Sequence, residues 1–351
     1  MKLTKTLLRL SLAAIASTSI NLHASEIPSK EEIWKYVPTF GGTFRSFYRL
    51  STATGQSRFE IANARLSASG YVMPWVNYFI QADFDNLGKF KMLDAYAIVK
   101  PTQNLHLYMG QMRVPLSSES SRIPANYHFC DVGLTSKFGN LRAVGVKAGY
   151  TMPFAKWYCE GGVFSAADMS NHTEWSSAVT YSIKTNYTVA GLKPEIGFMS
   201  RMPGDGGVRL NMFNASLSWT CGGFFAEAEY ISRHYAHGAM KTSHAYNVFA
   251  SYAIPVRWKM ADHVSFEARF DGLTGGSTGV PVATTEDGKP VLSRNIQPCN
   301  RLTAGATTSR KIDKLTFKFR INFEQYFYGH YDVTPTASDN NQLVTGVIVY
   351  F

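Results

Sequence analysis

Four cysteines in 351 residues are too few to staple a fold, and none is spaced as the CxxC pair that zinc or redox chemistry uses. Charge is scarce as well. Asp, Glu, Lys and Arg make up 17% of the chain, against about 25% in an ordinary soluble domain. After Ala24 no run of about 20 apolar residues occurs, so no helix reads as crossing a bilayer. Acidic residues are the scarcer sign, 25 against 35 basic ones. There is no basic helix, zinc-finger spacing or aromatic RNA-binding motif, so the basic excess does not point to nucleic acid.

What is present is aromatic and β-branched residues, with 14% Phe, Trp and Tyr. That argues against disorder. Residues 1–24 read as a secretory signal: Lys2, Lys5 and Arg9, an apolar stretch from Leu7 to Ala16, and Leu22-His23-Ala24 before Ser25. These three positives lower the excess from +10 to +7. Residues 25–39 read as a periplasmic lead, and 40–351 as one domain.

The period of that domain is two. In 315–323, Leu315, Phe317, Phe319, Ile321 and Phe323 alternate with Thr316, Lys318, Arg320 and Asn322. A helix would scatter those phenylalanines around its circumference. Val76, Tyr78, Ile80, Ala82 and Phe84 repeat the pattern, as do Leu93, Ala95, Ala97 and Val99, and Phe213, Ala215, Leu217 and Trp219. Segment 57–71 changes phase between Ile61 and Ala64, as either a β-bulge or an upper end that does not face lipid would cause.

About sixteen strands follow, near 40–50, 57–72, 75–86, 90–100, 104–112, 141–151, 156–167, 175–189, 193–201, 208–219, 223–233, 244–254, 262–271, 299–309, 314–328 and 342–351. Links after even strands are short, and the long ones, including 113–140, 272–298 and 329–341, fall on one side. Short periplasmic turns and long outer loops are the habit of outer-membrane barrels. The polar face is mostly Ser, Thr, Asn and Gly, which suits a wet lumen better than the charged face of a soluble sandwich. Trp75, Trp157, Tyr158, Trp175, Trp219, Tyr326, Phe327 and Tyr328 sit at strand ends, where aromatic girdles form. The expected fold is all-β: a transmembrane antiparallel barrel in the bacterial outer membrane, with outer-membrane lipids around it.

Arg58-Phe59-Glu60-Ile61-Ala62-Asn63-Ala64-Arg65-Leu66, Leu93-Asp94-Ala95-Tyr96 and Gly110-Gln111-Met112-Arg113-Val114-Pro115-Leu116 resemble the phosphate-selective porin O and P family. The terminal Phe351, closing an amphipathic last strand, extends the likeness. The resemblance implies a sixteen-stranded porin, usually a homotrimer, whose loop after strand five folds inward to narrow the lumen. Here that loop carries Arg113, Glu119, Arg122, Asp131 and Lys137.

Strand parity adds inward cations, among them Arg45, Arg65, Lys147, Lys318 and Arg320, with Arg65–Asp83 and Arg320–Glu267 as candidate pairs. Arg113 and Arg122 are the first candidates for solute contact, since guanidinium binds phosphate or carboxylate bidentately. The expected function is passive diffusion of small hydrophilic solutes with a mild anion preference, phosphate among them. The alternative is a binding or adhesion barrel with a closed lumen.

No cofactor or catalytic group is apparent. Gly275-Gly276-Ser277-Thr278-Gly279 matches G-x-S-x-G, but it lacks the strand-to-helix context of a nucleophile elbow. His234, His237 and His244 share an outer loop and are weighed as a metal site, though solvated histidines are the commoner case, so no metal is assigned. Export permits a Cys130–Cys299 disulfide, while Cys159 and Cys221 read as packing residues.

Overall fold

The structure is a computed structural model that describes residues 36–86, 89–166, 175–204, 206–329 and 336–351. The secretory signal, and all but the last four residues of the 25–39 lead, lie outside them. Sixteen antiparallel strands close into one barrel. In chain order they are β1 (Thr39–Ser51), β2 (Ser57–Met73), β3 (Val76–Asn86), β4 (Lys89–Val99), β5 (Leu105–Arg113), β6 (Arg142–Thr151), β7 (Trp157–Ser165), β8 (Val179–Tyr187) and β9 (Leu192–Arg201). There follow β10 (Leu210–Cys221), β11 (Phe224–Tyr235), β12 (Ser243–Pro255), β13 (His263–Leu273), β16 (Cys299–Ile312), β17 (Leu315–Phe327) and β18 (Gln342–Tyr350). Between β13 and β16, a separate two-stranded hairpin pairs β14 (Pro281–Thr284) with β15 (Pro290–Leu292). The sequence reading has no counterpart for this hairpin, which is too short to show a period.

The barrel forms because its residues face two solvents. On β17, Phe317, Phe319, Ile321 and Phe323 are exposed outside while Arg320, Asn322 and Glu324 are buried inside. A lipid environment leaves no partner for a bare strand edge, so the sheet must close on itself. Closure is made by β1 and β18, from Thr43↔Tyr350 to Ser51↔Gln342. Phe351 extends the seam, exchanging backbone bonds with Gly42 at 3.1 and 3.2 Å.

The phase change in β2 is a bulge. Arg45 pairs with Asn63 but Ser46 pairs with Ile61, so Ala62 is the extra residue. Phe59 and Ile61 before it, and Leu66 after it, therefore all reach the outside.

A second bulge corrects the expected alternation in β4. Gln81 pairs with Asp94 and Ala82 with Met92, which leaves Leu93 unpaired. Leu93 turns inward and is buried, and Met92 is exposed instead. Two expected girdle residues are also corrected: the Tyr158 and Tyr326 hydroxyls donate to the buried carboxylates of Glu160 and Glu324. Trp75, Trp157 and Trp219 do stand exposed near the short-turn end. Trp175 precedes its strand, which begins at Val179.

Candidate functional site: the inward loop and the wall it grips

Residues 114–141 fold into the barrel. They include two helical turns, α1 (Ser118–Ser121) and α2 (Ser136–Gly139). Ser117 caps α1 by accepting from Ser120 N–H at 3.1 Å. Leu116 and Phe129 are fully buried, and Val114, Leu134 and Phe138 nearly so. Burying such a side chain is worth about 1.5–3 kcal/mol against leaving it exposed.

The loop packs on three apolar patches of the inner wall. Val114 and Leu116 join Met199, Leu210 and Met212, while Leu134 and Phe138 join Ile231, Ala245 and Leu273. Cys130 joins Phe47, Val344 and Ile348. The inner wall is thus apolar at the three patches where these loop side chains dock.

Wall cations hold the loop by its main chain. Arg45 donates to the Cys130 carbonyl, Lys318 to Ala125 O at 2.9 Å and Arg320 to Tyr127 O at 2.9 Å. Arg269 reaches Asp131 O at 3.0 Å, Arg301 reaches Val132 O at 2.9 Å, and Arg233 reaches Phe138 O at 3.2 Å. Carboxylates hold it from the other side. Glu229 accepts from Ser117 Oγ, Ser118 N–H and Thr135 Oγ1, each at 2.8 Å, and so ties α1 to the start of α2. Asp271 accepts from Leu134 N–H at 2.8 Å. Arg49 grips Asp131 through two bonds of 2.6 Å.

Asp131 feels burial that would raise its pKa. The hydrogen bonds and charge of Arg49, aided by Arg301 and Arg45, instead hold it well below the usual carboxylate range.

The cations named from sequence therefore divide. Arg45, Lys318 and Arg320 anchor the loop, and Arg45 also donates to Asn63 at 2.7 Å. Arg320 lies 4.0 Å from Glu267. Arg65 pairs with Asp83 at 2.6 Å, and Lys147 with Glu160 at 2.7 Å. Arg122, a candidate for solute contact, bridges the carboxylates of Glu119 and Glu227.

Arg113 and Lys137 have no hydrogen-bond or ion-pair partner for their charges among the described residues. Arg113 stands beside the arginine pair partner Arg142 and within electrostatic range of Arg65. Arg142 in turn is matched by Asp94, at 3.1 Å. Lys137 lines a hollow of about 540 Å³ on the long-loop side, with Arg49, Arg58, Asp131 and Arg301. Arg142 lay outside the expected cation set; its place beside Arg113 in the β5–β6 register was the missing signal.

Other expectations are corrected. Cys130 and Cys299 are free thiols in different apolar clusters, so no disulfide joins them. His234 and His244 are engaged singly, by Thr242 Oγ1 at 2.9 Å and by Tyr230 Oη at 2.6 Å. The group of His and acidic side chains gathered among the described residues is Glu119, His128 and Glu227, which sequence spacing did not join. Ser277 is fully buried, and its hydroxyl accepts from Gly279 N–H.

No protein-family model matches the chain, and no curated protein matches it by sequence. Solved structures do match. An anion-selective porin from Comamonas acidovorans superposes with a TM-score of 0.59 at 12% identity, covering 90% of this chain and 98% of that one. OmpT of Vibrio cholerae, folded in vitro and in its trimer form, gives 0.56 at 11% identity, with 90% and 98% covered. Pseudomonas putida OprB gives 0.58 at 10% identity, with 92% and 96% covered. The chain has the sixteen-stranded barrel fold of bacterial outer-membrane porins.

Proposed function

We propose that this protein is an outer-membrane porin through which small hydrophilic solutes diffuse passively, with a preference for anions that extends to phosphate. The observation that carries the reading is Arg113. It is a guanidinium at the root of the inward loop, without a hydrogen-bond or ion-pair partner among the described residues; Arg142 and Arg65 beside it are paired with Asp94 and Asp83, and Asp94 also lies within electrostatic range of Arg113. A cation without an ion-pair partner, set among other arginines on a low-dielectric wall, focuses a field that attracts anions. Guanidinium also offers the bidentate donor geometry that phosphate accepts. Lys137, exposed in the hollow on the long-loop side, extends the same bias. A partner solute needs no cofactor, since the concentration gradient drives it.

The likeness of the motifs in 58–66, 93–96 and 110–116 to the phosphate-selective porins supports phosphate as the first solute to try. The trimer form of the Vibrio cholerae relative supports a homotrimer. Removal of residues 1–24 on export, with Ser25 first in the mature chain, belongs to the same reading.

The deciding experiment is the reversal potential of single channels in a planar bilayer under a salt gradient, with phosphate then added to one side. Anion-directed reversal potentials, and current reduced by phosphate in wild type but not in Arg113→Gln, are expected. Anion selectivity without a phosphate effect would leave a general anion-preferring porin. Folded protein that inserts without conducting would overturn the porin reading and favour a barrel closed by its loop.

A further inference from the structure

We propose that Glu119, His128 and Glu227 form a binding site for a divalent transition-metal cation of the zinc class, built between the inward loop and strand β11. Glu119 comes from α1, His128 from the bend that precedes α2, and Glu227 from the wall strand β11. One ligand atom from each residue lies within 4.8 Å of the others.

Zinc holds nitrogen and oxygen ligands at about 2.0–2.2 Å, so its ligand atoms stand somewhat over 3 Å apart. The His128 Nε2 to Glu227 Oε1 separation is 3.8 Å. Bringing ligand atoms that lie within 4.8 Å of one another to that spacing takes a shift of under an ångström at each side chain.

Proximity is not the only sign. His128 Nε2 and Glu227 Oε1 are buried atoms with no hydrogen-bond partner, and each is aimed at the other. Glu227 is only 5% exposed. At 3.8 Å no hydrogen bond spans the two atoms in either imidazole tautomer. A buried acceptor left without a donor is costly, and a cation between the two would satisfy both.

The donor set selects the ion. One imidazole and two carboxylates suit zinc-like ions, whereas calcium and magnesium take oxygen ligands. The imidazole is already oriented, its ring stacked on Phe249 with centroids 3.7 Å apart.

Arg122 is the competitor. Its guanidinium bridges the same two carboxylates, so an incoming cation must displace it. One guanidinium does not neutralise Glu119 and Glu227 together. The site therefore still attracts a divalent ion. Its door is on the lumen, where the His128 and Arg122 side chains are 13% and 15% exposed.

The test is calorimetric titration of zinc into the full-length folded barrel in detergent, with magnesium as the control ion. Expected are one zinc per chain, loss of that binding in His128→Gln, and binding at least tenfold tighter in Arg122→Gln. A triple variant, His234→Asn with His237→Asn and His244→Asn, should bind as wild type. Resistance of the unboiled barrel to SDS checks the fold of each variant. Absence of binding, binding that survives His128→Gln, binding lost with the loop histidines, or an Arg122→Gln variant no tighter than wild type would each overturn the proposal. If His128→Gln does not fold, zinc protection of His128 against diethyl pyrocarbonate in the wild-type protein decides. Protection upholds the site and its absence overturns it.

Discussion

Arg113 and Arg122 belong to the same stretch of chain and carry the same charge, yet their neighbours set them to different work. Arg122 is spent on Glu119 and Glu227, whereas Arg113 faces other arginines. Arg113→Gln should therefore leave the barrel folded and move the reversal potential toward neutrality, most visibly at low salt where surface fields are least screened.

The cysteines give a second residue-scale expectation. Burial pushes the Cys130 thiol up to about 12, and a thiol held protonated is a poor nucleophile. Cys221 is exposed. Mass spectrometry after brief maleimide treatment of the folded protein should show Cys221 labelled and Cys130 untouched, with Cys130 reacting after unfolding.

Acid should loosen the loop in two stages. Burial pushes the His128 imidazole below its ordinary 6.5, with Arg122 lowering it further and Glu227 and Glu119 opposing. An unfolded loop would thus bind a proton that the folded one refuses, so stability is lost as pH falls below about 6.5. The depressed Asp131 carboxyl behaves differently. Its pair with Arg49 is fully present above the ordinary 3.8 and is lost only as pH falls through its lower folded value. Protease cleavage within 114–141 should rise modestly below about pH 6.5 and again only in strong acid.

At the scale of elements, Glu229 joins two parts of one loop. Glu229→Ala would free Ser117, Ser118 and Thr135 together. Charge-assisted hydrogen bonds of this kind are worth roughly 1.5–3 kcal/mol each. The barrel should still assemble, while the loop becomes protease-sensitive and channel current noisier. Gly110 makes the opposite case, where the strand itself is at stake. Its φ of +135° belongs to a region that other residues avoid, and a Cβ there would stand 2.2 Å from the Ala95 carbonyl. Gly110→Ala should reduce the yield of SDS-resistant barrel sharply.

The elements themselves were legible because lipid and lumen impose opposite demands on alternate residues. The phase change between Ile61 and Ala64 betrayed the Ala62 bulge. The bulge at Leu93 stayed hidden because Met92 and Leu93 are both apolar, so either suits the outer face. Parity also placed the cations inside and suggested Arg65–Asp83 and Arg320–Glu267 as pairs, but it left the main-chain partners unnamed. A contact to a backbone carbonyl, such as Lys318 to Ala125, leaves no mark in a sequence, because every residue carries that oxygen.

For the whole molecule, stability is divided between a closed wall and a docked loop. The wall closes through β1 and β18, with Phe351 as its last fastening. The Phe351 ring lies where a Cβ on Gly42 would stand, 2.6 Å from Cε1. Gly42→Val should therefore slow assembly of the folded form from urea without altering the selectivity of channels that do form, as electrophoresis and bilayer recordings would show.

The grip of Arg45, Lys318, Arg320, Arg269 and Arg301 on main-chain oxygens has a consequence for inheritance. Those handholds survive a change of side chain at Ala125, Tyr127, Cys130, Asp131 or Val132. A lineage can therefore rewrite the side chains of the inward loop, one residue at a time, while the frame that positions the loop is passed on unchanged.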